Sequence, residues 1–436
     1  NVPTEVYLNL IETVHKNMDK MHRYVKLRKK LLGLDELHFY DVYMPLVADV
    51  DKQISFEDAK KTVYDALAPL GEDYRKVLQE GFDNRWIDVY ENKNKRSGAY
   101  SSGCYDVHPY VLLNFRPELD GMLTLAHEMG HAMHSYMSMH NQPETYAHYV
   151  IFVAEVASTC NEVLMMQNLL SKTTDKKERA YLINHFLEQF KGTLYRQTMF
   201  AEFELNIGRM IAEGKTLTAD VLCAEYKRLN EMYFGPDMVV DDRIAVEWAR
   251  IPHFYMNYYV FQYATGYSAA IALSRKILSE GESAVKDYLN FLSGGCSKSP
   301  IDLLKGAGVD MTSPEPVDQA LQLFGELLDE MEAECRSKIE SRNPDVSVLD
   351  LVPYYYTLDG KQQDYAPTPS QQAMMVQAHF MAFVGKRDLE QKVRDSFARS
   401  GKRMELMYVR PDVLLNALAS DEDMENGCVI LDLGAQ

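Results

Sequence analysis

None of the six cysteines stands in a Cys-x-x-Cys pair, and no apolar run approaches the roughly 18 residues that a membrane-spanning helix needs. Cys104, Cys160, Cys223, Cys296, Cys335 and Cys428 are scattered without a framework, the usage of a reducing compartment. Cys160 and Cys296, in apolar and glycine-rich settings, are expected as buried thiols. The first residues, beginning at Asn1, carry no signal-peptide pattern. These absences read together as a cytoplasmic protein with no membrane partner. Positive charge is also in short supply: 46 Lys and Arg stand against 64 Asp and Glu, a formal net charge of −18. Such a chain repels phosphate backbones, which argues against nucleic acid as a partner. The basic stretch Arg23–Lys30 is expected to be a solvated helix face.

There is no alternation of strand and helix patterns and no internal repeat, so neither a doubly wound sheet nor a solenoid is expected. At 436 residues the chain has room for two or three domains. Residues 1–96 read as a helical N-terminal part, with Val6, Leu10, Ile11 and Val14, and then Ala59, Val63 and Leu67, at helical spacing. Asp35 and Ser55 suit helix N-caps. Residues 97–115 read instead as a short strand, a loop and a second strand, Tyr110–Phe115. Helical patterns then run from about Gly121 to about Lys338, with turns at Gly281-Glu282 and Ser293-Gly294-Gly295 and a helix start at Pro300. Composition shifts at Ser341-Arg342-Asn343-Pro344-Asp345. This divides a catalytic region, 97–343, from an α+β tail, 344–436, with strand-like ends and helical stretches between them.

Chemistry concentrates in two places. Residues 121–136, GMLTLAHEMGHAMHSY, contain His127-Glu128-x-x-His131. On a helix, positions i and i+4 share a face, so two imidazoles can grip one cation while Glu128 reaches its water. The flanking residues are mostly apolar, and burying two histidines and a carboxylate without a partner would cost several kcal/mol. Ala126, Gly130 and Ala132 leave room for close packing. A catalytic zinc site needs a third ligand. In the apolar helix Ile151–Leu164, Glu155, Ser158, Thr159 and Glu162 form a polar stripe. Glu155 comes first and is expected to be the ligand. Glu162 is expected to accept a hydrogen bond from a ligand histidine, and His134 to lie beside the ligands or in the core. In Arg250–Gly266, a histidine is followed by several tyrosines, hydroxyl donors that could meet the oxyanion formed when water attacks an amide. Tyr259, Phe261 and Tyr267 fit aromatic packing.

The stretches RWIDVYENKNKRSGAYSSGCY, HPYVLLNF, TLAHEMGHAMHSY, FVAEVASTCNE, IPHFYMNYYVFQYATG and FLSGGCSKSPIDLLKGAGVDMTSPEP follow one another between about residues 5 and 340. In this the chain resembles the oligoendopeptidase F group of the thimet-oligopeptidase-like zinc peptidases. The resemblance implies a mainly α, helical zinc-peptidase fold with a short β-sheet beside the active-site cleft. It implies one Zn²⁺ per chain, held by His127, His131 and Glu155, with Glu128 as general base and oligopeptides as substrates. A histidine and tyrosines of the 250–266 segment would contact substrate and stabilise the tetrahedral intermediate: His253 and Tyr258 match best, Tyr255 and Tyr263 next. The strand at Tyr110, with Gly98 and Ala99 nearby, would offer an edge to an extended peptide. Members of the group carry a further helical segment before the position matching Asn1, which helps wall the substrate channel.

The tail from about Val346 resembles instead part of the bacterial actin-like cell-division ATPase, through VLDLVPYYYTLDG and EDMENGCVILDLGAQ. Its last strand carries Asp432 and Gly434, but no complete phosphate loop follows, so nucleotide binding is not expected. Two rival readings are a catalytically silent zinc-containing peptide-binding protein and an interaction protein built on the actin-like tail. An intact Glu128 argues against the first, since a structural site needs no base.

Overall fold

The computed structural model describes residues 2–47, 53–340, 346–358, 361–363 and 376–386. It falls into two compact units, Asn1–Val25 with His38–Asp329 and Lys26–Leu37 with Glu330–Gln436. The helices are α1 Thr4–Lys16, α2 Met18–Leu32, α3 Phe56–Ala66, α4 Gly71–Asp83, α5 Leu119–Asn141, α6 Ile151–Lys172 and α7 Lys176–Gln189. They continue with α8 Arg196–Ala212, α9 Ala219–Phe234, α10 Phe261–Glu280, α11 Glu282–Leu292, α12 Pro300–Gly306 and α13 Glu315–Glu340. The expected mainly α fold is found, and no helix among the described residues is long and apolar enough to cross a membrane.

Local chemistry explains many of these boundaries. Ser55 accepts the Asp58 N–H at 3.1 Å to start α3, and Ser299 accepts that of Asp302 at 3.1 Å before Pro300 opens α12. Gly281, at φ +67°, separates α10 from α11. Asp35 starts no helix; the next turn is the 3₁₀ segment Phe39–Tyr43, where the His38 N–H donates to Asp41 at 2.8 Å. Arg28 is buried, so the basic run on α2 is only in part a solvated face. Cys160 is buried, and burial pushes its thiol up to about 12, whereas Cys296 is only half-buried.

The 97–115 segment forms β2 Tyr100–Ser102 and β3 Tyr110–Leu112, joined by β1 Ile87–Asp88. Strand β3 lies in the middle, parallel to β1 (Ile87 opposite Val111) and antiparallel to β2 (Ser101 opposite Val111). Tyr110 is therefore not on an edge, as the sequence suggested. Strand β1 is two residues long and shows no period-2 pattern, so only its pairing reveals it. The free edge beside Gly98 and Ala99 belongs to β2.

In the second unit, β4 Val346–Leu358 pairs antiparallel with β5 Lys361–Gln363 on one side and β6 Val376–Lys386 on the other. The register shifts beside Pro353, which cannot donate to a ladder and so sits at an irregularity of this central strand. The helical reading of the tail's middle gives way at β6 to a strand that pairs along nearly the whole of β4. Asp432 and Gly434 lie outside the described residues.

The core of the first unit is a stack in which α6 packs between α5 and α10. The α5–α6 contact is made close by Gly130. A Cβ there would stand 2.5 Å from Ser158 Cα and 2.8 Å from the Ala157 carbonyl oxygen, both backbone atoms of α6. Gly130→Ala should therefore destabilise by at least the ~1–3 kcal/mol usual for overpacking. Thermal melting should show the loss, while Gly192→Ala, where a Cβ meets nothing within 4 Å, stays near wild type.

Candidate metal centre

Helix α5 turns His127 and His131 toward α6, one helical turn apart, and α6 returns Glu155 and Glu162 from its own facing stripe. Glu155 Oε2 lies 3.3 Å from His127 Nε2 and 3.4 Å from His131 Nε2. Those separations are long for charge-assisted hydrogen bonds, which run about 2.7–2.9 Å. They match the edges of a tetrahedron whose bonds from the centre are about 2.0–2.1 Å, roughly 3.3–3.4 Å. Donor atoms of His127, His131 and Glu155 all fall within 4.8 Å of one another. Two neutral imidazoles and a carboxylate in this spacing fit a small tetrahedral cation with one position left open.

The electrostatics favour a cation here as well. Burial opposes charge on His127, yet Glu155 and Glu162 outweigh it and hold a proton on the ring up to about 10. Burial raises the Glu155 carboxyl, but His127 and His131 pull it well below the usual carboxylate range. Glu162 accepts from His127 Nδ1 at 2.5 Å, which leaves Nε2 for the cation, and Ser158 Oγ donates to Glu155 Oε2 at 3.2 Å. Glu128 is buried, and its Oε2 has no partner among the described residues. Burial raises its carboxyl against the pull of His127 and His131.

His134 is fully buried in the core and outside the donor cluster. Its ring stacks on Tyr149 with centroids 3.7 Å apart, and burial keeps it neutral, down to about 3. The Tyr149 hydroxyl lies 3.0 Å from Ser135 Oγ, one turn beyond His131, and its ionisation is resisted by burial and then by Glu155 and Glu128. Nothing in the sequence singled out Tyr149, one of two tyrosines in the connection before α6.

The aromatic segment divides in two. His253 stacks on Tyr259 at 5.9 Å and meets the edge of Tyr263 at 6.0 Å, and the Tyr263 hydroxyl donates to that of Tyr259 at 3.4 Å. Tyr259, expected as packing, thus belongs to a hydrogen-bonded cluster. Helix α10 runs against the His127–His131–Glu155 cluster: a Cβ on Gly266 would be 3.7 Å from Glu155 Cβ, and Tyr263 is one turn earlier. Burial, Tyr259 and Glu155 all raise the Tyr263 hydroxyl pKa. Tyr258 faces elsewhere, with its ring edge-on to Tyr7 at 5.7 Å and its hydroxyl against Gly208 of α8. Tyr255 is 91% exposed. Gly98 and Ala99 line a cavity of about 400 Å³ with Asn114 and Thr124, the latter one turn before His127; Tyr110 is not in its wall.

Tyr258 and Asn257 both have left-handed backbone, φ +58° and +49°, a conformation that side-chain-bearing residues seldom adopt. The Tyr258 N–H donates to buried Glu204 at 2.9 Å. Burial pushes the Glu204 carboxyl up to about 7, opposed by that hydrogen bond. A folded pKa above the unfolded one means that protonation stabilises the fold. That stability is complete below the usual carboxylate pKa of about 4.5 and is lost as pH rises through about 7. Glu204→Gln, always neutral, should remove this dependence. By pH 8 it should melt higher than wild type by the equivalent of about 2–3 kcal/mol, with the two proteins converging near pH 4.5 in a melting series.

Comparison with known proteins places the chain in a family. The profile of Peptidase family M3 matches residues 1–323. Oligopeptidase PepF of Bacillus subtilis (strain 168) is 55% identical over 332 residues, 76% of this chain and 50% of that protein. The chromosomal oligoendopeptidase F of Lactococcus lactis subsp. cremoris is 45% identical over 331 residues, 76% of this chain and 55% of that one. The crystal structure of oligoendopeptidase-F from Enterococcus faecium superposes with a TM-score of 0.62 at 38% identity, covering 77% of this chain and 53% of that one. The chain thus spans about half the length of the curated relatives that it matches. None of these matches supports a likeness of the tail to an actin-like ATPase. On the profile match and these relatives, the chain belongs to Peptidase family M3, in its oligoendopeptidase F group.

Proposed function

We propose that this chain carries the catalytic machinery of a zinc-dependent endopeptidase that cuts peptide bonds within oligopeptides. The observation that supports it most is Glu155 Oε2 set 3.3 and 3.4 Å from two imidazoles, with a buried, unpartnered Glu128 carboxylate oxygen on the same helix as those histidines. His127, His131 and Glu155 would hold Zn²⁺, about one ion per chain. Bound zinc would supply a Lewis acid that makes water acidic near neutral pH. Glu128 accepts the proton of the attacking water and returns it to the leaving amine. A hydroxyl donor facing the developing oxyanion comes from the 250–266 segment, and the packing of α10 on Glu155 favours Tyr263, with His253 beside it. Tyr258 is the second candidate. The edge of β2, with Gly98 and Ala99 before it, would pair with substrate main chain, which asks little of substrate sequence. A silent metal-containing binding protein would leave the buried Glu128 oxygen without a purpose. Cys104, Cys160, Cys223 and Cys296 carry free thiols, which is in keeping with a cytoplasmic setting.

Metal analysis with a quenched oligopeptide series tests this reading. Chelation should abolish cleavage reversibly, and full cleavage by metal-free protein would overturn the proposal. Glu128→Gln should keep its metal and lose nearly all turnover, because only the proton acceptor is gone. Glu155→Gln should weaken metal binding by about tenfold to a hundredfold or more.

A pair of single-oxygen deletions separates the tyrosines. Tyr263→Phe should lower kcat by about 10²-fold with KM little changed, the signature of a contact made only in the transition state. Tyr258→Phe should leave kcat within about threefold, since its hydroxyl lies against Gly208. The reverse pattern would assign the oxyanion donor to Tyr258.

A further inference from the structure

Glu162 has two oxygens, and each has a partner. One accepts from His127 Nδ1 at 2.5 Å; the other accepts from Gln189 Nε2 at 2.9 Å. A carboxylate can only accept, so the Gln189 amide must turn its NH₂ toward it. We propose that Gln189 is a positioning residue of the metal centre: it fixes the plane of the Glu162 carboxylate, which in turn fixes the His127 ring with Nε2 toward Glu155. This rests on the reading of His127, His131 and Glu155 as metal ligands.

The terminal torsion of a glutamate is soft and broad. Held at one oxygen only, Glu162 could swing about its chain and carry the His127 ring with it. A second tie at the other oxygen removes that freedom. The donor is also neutral. A lysine or arginine in its place would draw the charge of Glu162 away from the imidazole, whereas an amide leaves that charge for His127.

Gln189 is the last residue of α7, and the helix continues into π-helical Phe190–Tyr195 before resuming as α8. A π-turn takes up an extra residue, so the faces before and after it are offset by about 100° from those of an uninterrupted α-helix. That offset lets one continuous helical run serve two neighbours. Before the turn, Gln189 faces Glu162 on α6. After it, Glu202 meets His15 at 2.7 Å and Tyr233 at 2.8 Å, and Glu204 meets the Tyr258 backbone. Single π-turns inside α-helices are rare and are found frequently at functional sites.

The test measures zinc affinity by competition with a chromogenic chelator, on the whole chain at one pH. Gln189→Met keeps length and packing but deletes the donor. It should weaken zinc binding roughly threefold to tenfold, below the tenfold to hundredfold typical of direct neighbours of a ligand. In a Glu162→Ala background the same substitution should change nothing further, because the link that it acts through is gone. Melting of the metal-free protein should fall with Met at 189, since a Glu162 oxygen loses its donor whether or not metal is bound. The readout that a purely structural role would not move is zinc affinity compared with and without Glu162. Gln189→Leu serves as the second variant should methionine disturb folding, with the same expectation. Unchanged affinity in either variant, or an equal loss with and without Glu162, overturns the proposal. His127→Ala in the same assay tests the metal site itself: if wild type binds no zinc, or binds it equally without His127, the ligand assignment fails whatever Gln189 does.

Discussion

Two helix backbones touch at Gly130, and the rest of the site depends on that approach. With no side chain between them, α5 and α6 lie close enough for short acidic side chains of one to reach imidazoles of the other. A four-residue repeat on α5 then meets a seven-residue repeat on α6. His127 falls between Glu155 and Glu162, and His131 falls beside Glu155. Held farther apart, the same residues would be solvated groups or unpaired buried ones.

Close packing of so many polar groups carries an electrostatic demand. Glu155 and Glu162 flank one imidazole in a setting where burial disfavours charge. A divalent cation would resolve that excess more fully than a proton does, since it would also engage His131. Around this centre the remaining polar atoms are sorted by role. Ser158 and Gln189 donate to carboxylates, burial keeps His134 neutral beneath Tyr149, and one Glu128 oxygen has no partner among the described residues.

Much of this was legible before any coordinates, for a physical reason: helices repeat. The spacing of His127 and His131, and of Glu155 and Glu162, assigns a face to each residue once the segment is read as a helix. Hydrophobic flanks then mark that face as buried. Contacts made without periodicity were not legible. Ile87–Asp88 is a strand only because the Val111 N–H bonds to the carbonyl of Trp86 just before it and the Leu113 N–H to that of Asp88, and so Tyr110 was misplaced to an edge. Tyr149 and Gln189 arrive from a loop and from a helix end, where one polar residue looks like any other. The Tyr258 ring turns on two left-handed residues, and although asparagine tolerates that backbone at 257, no propensity favours it for the tyrosine. In the tail, β6 is defined by its long pairing with β4, a partner that sequence spacing does not name.

The π-turn at Phe190–Tyr195 bears on which changes the chain can absorb over evolutionary time. Residue exchange there has room at Gly192, where an added methyl has open space, but not at Phe190, Leu194 or Tyr195, which are buried. Chain length is another matter. Dropping a single residue would let the run close into a regular α-helix, at no cost to local hydrogen bonding, but would rotate α7 by about 100° against α8. Either Gln189 would leave Glu162 or Glu202 and Glu204 would leave their partners. The segment should therefore keep its residue count constant even where Gly192 and its half-buried neighbour Thr193 vary, a reversal of the usual tolerance of connecting segments for insertions and deletions.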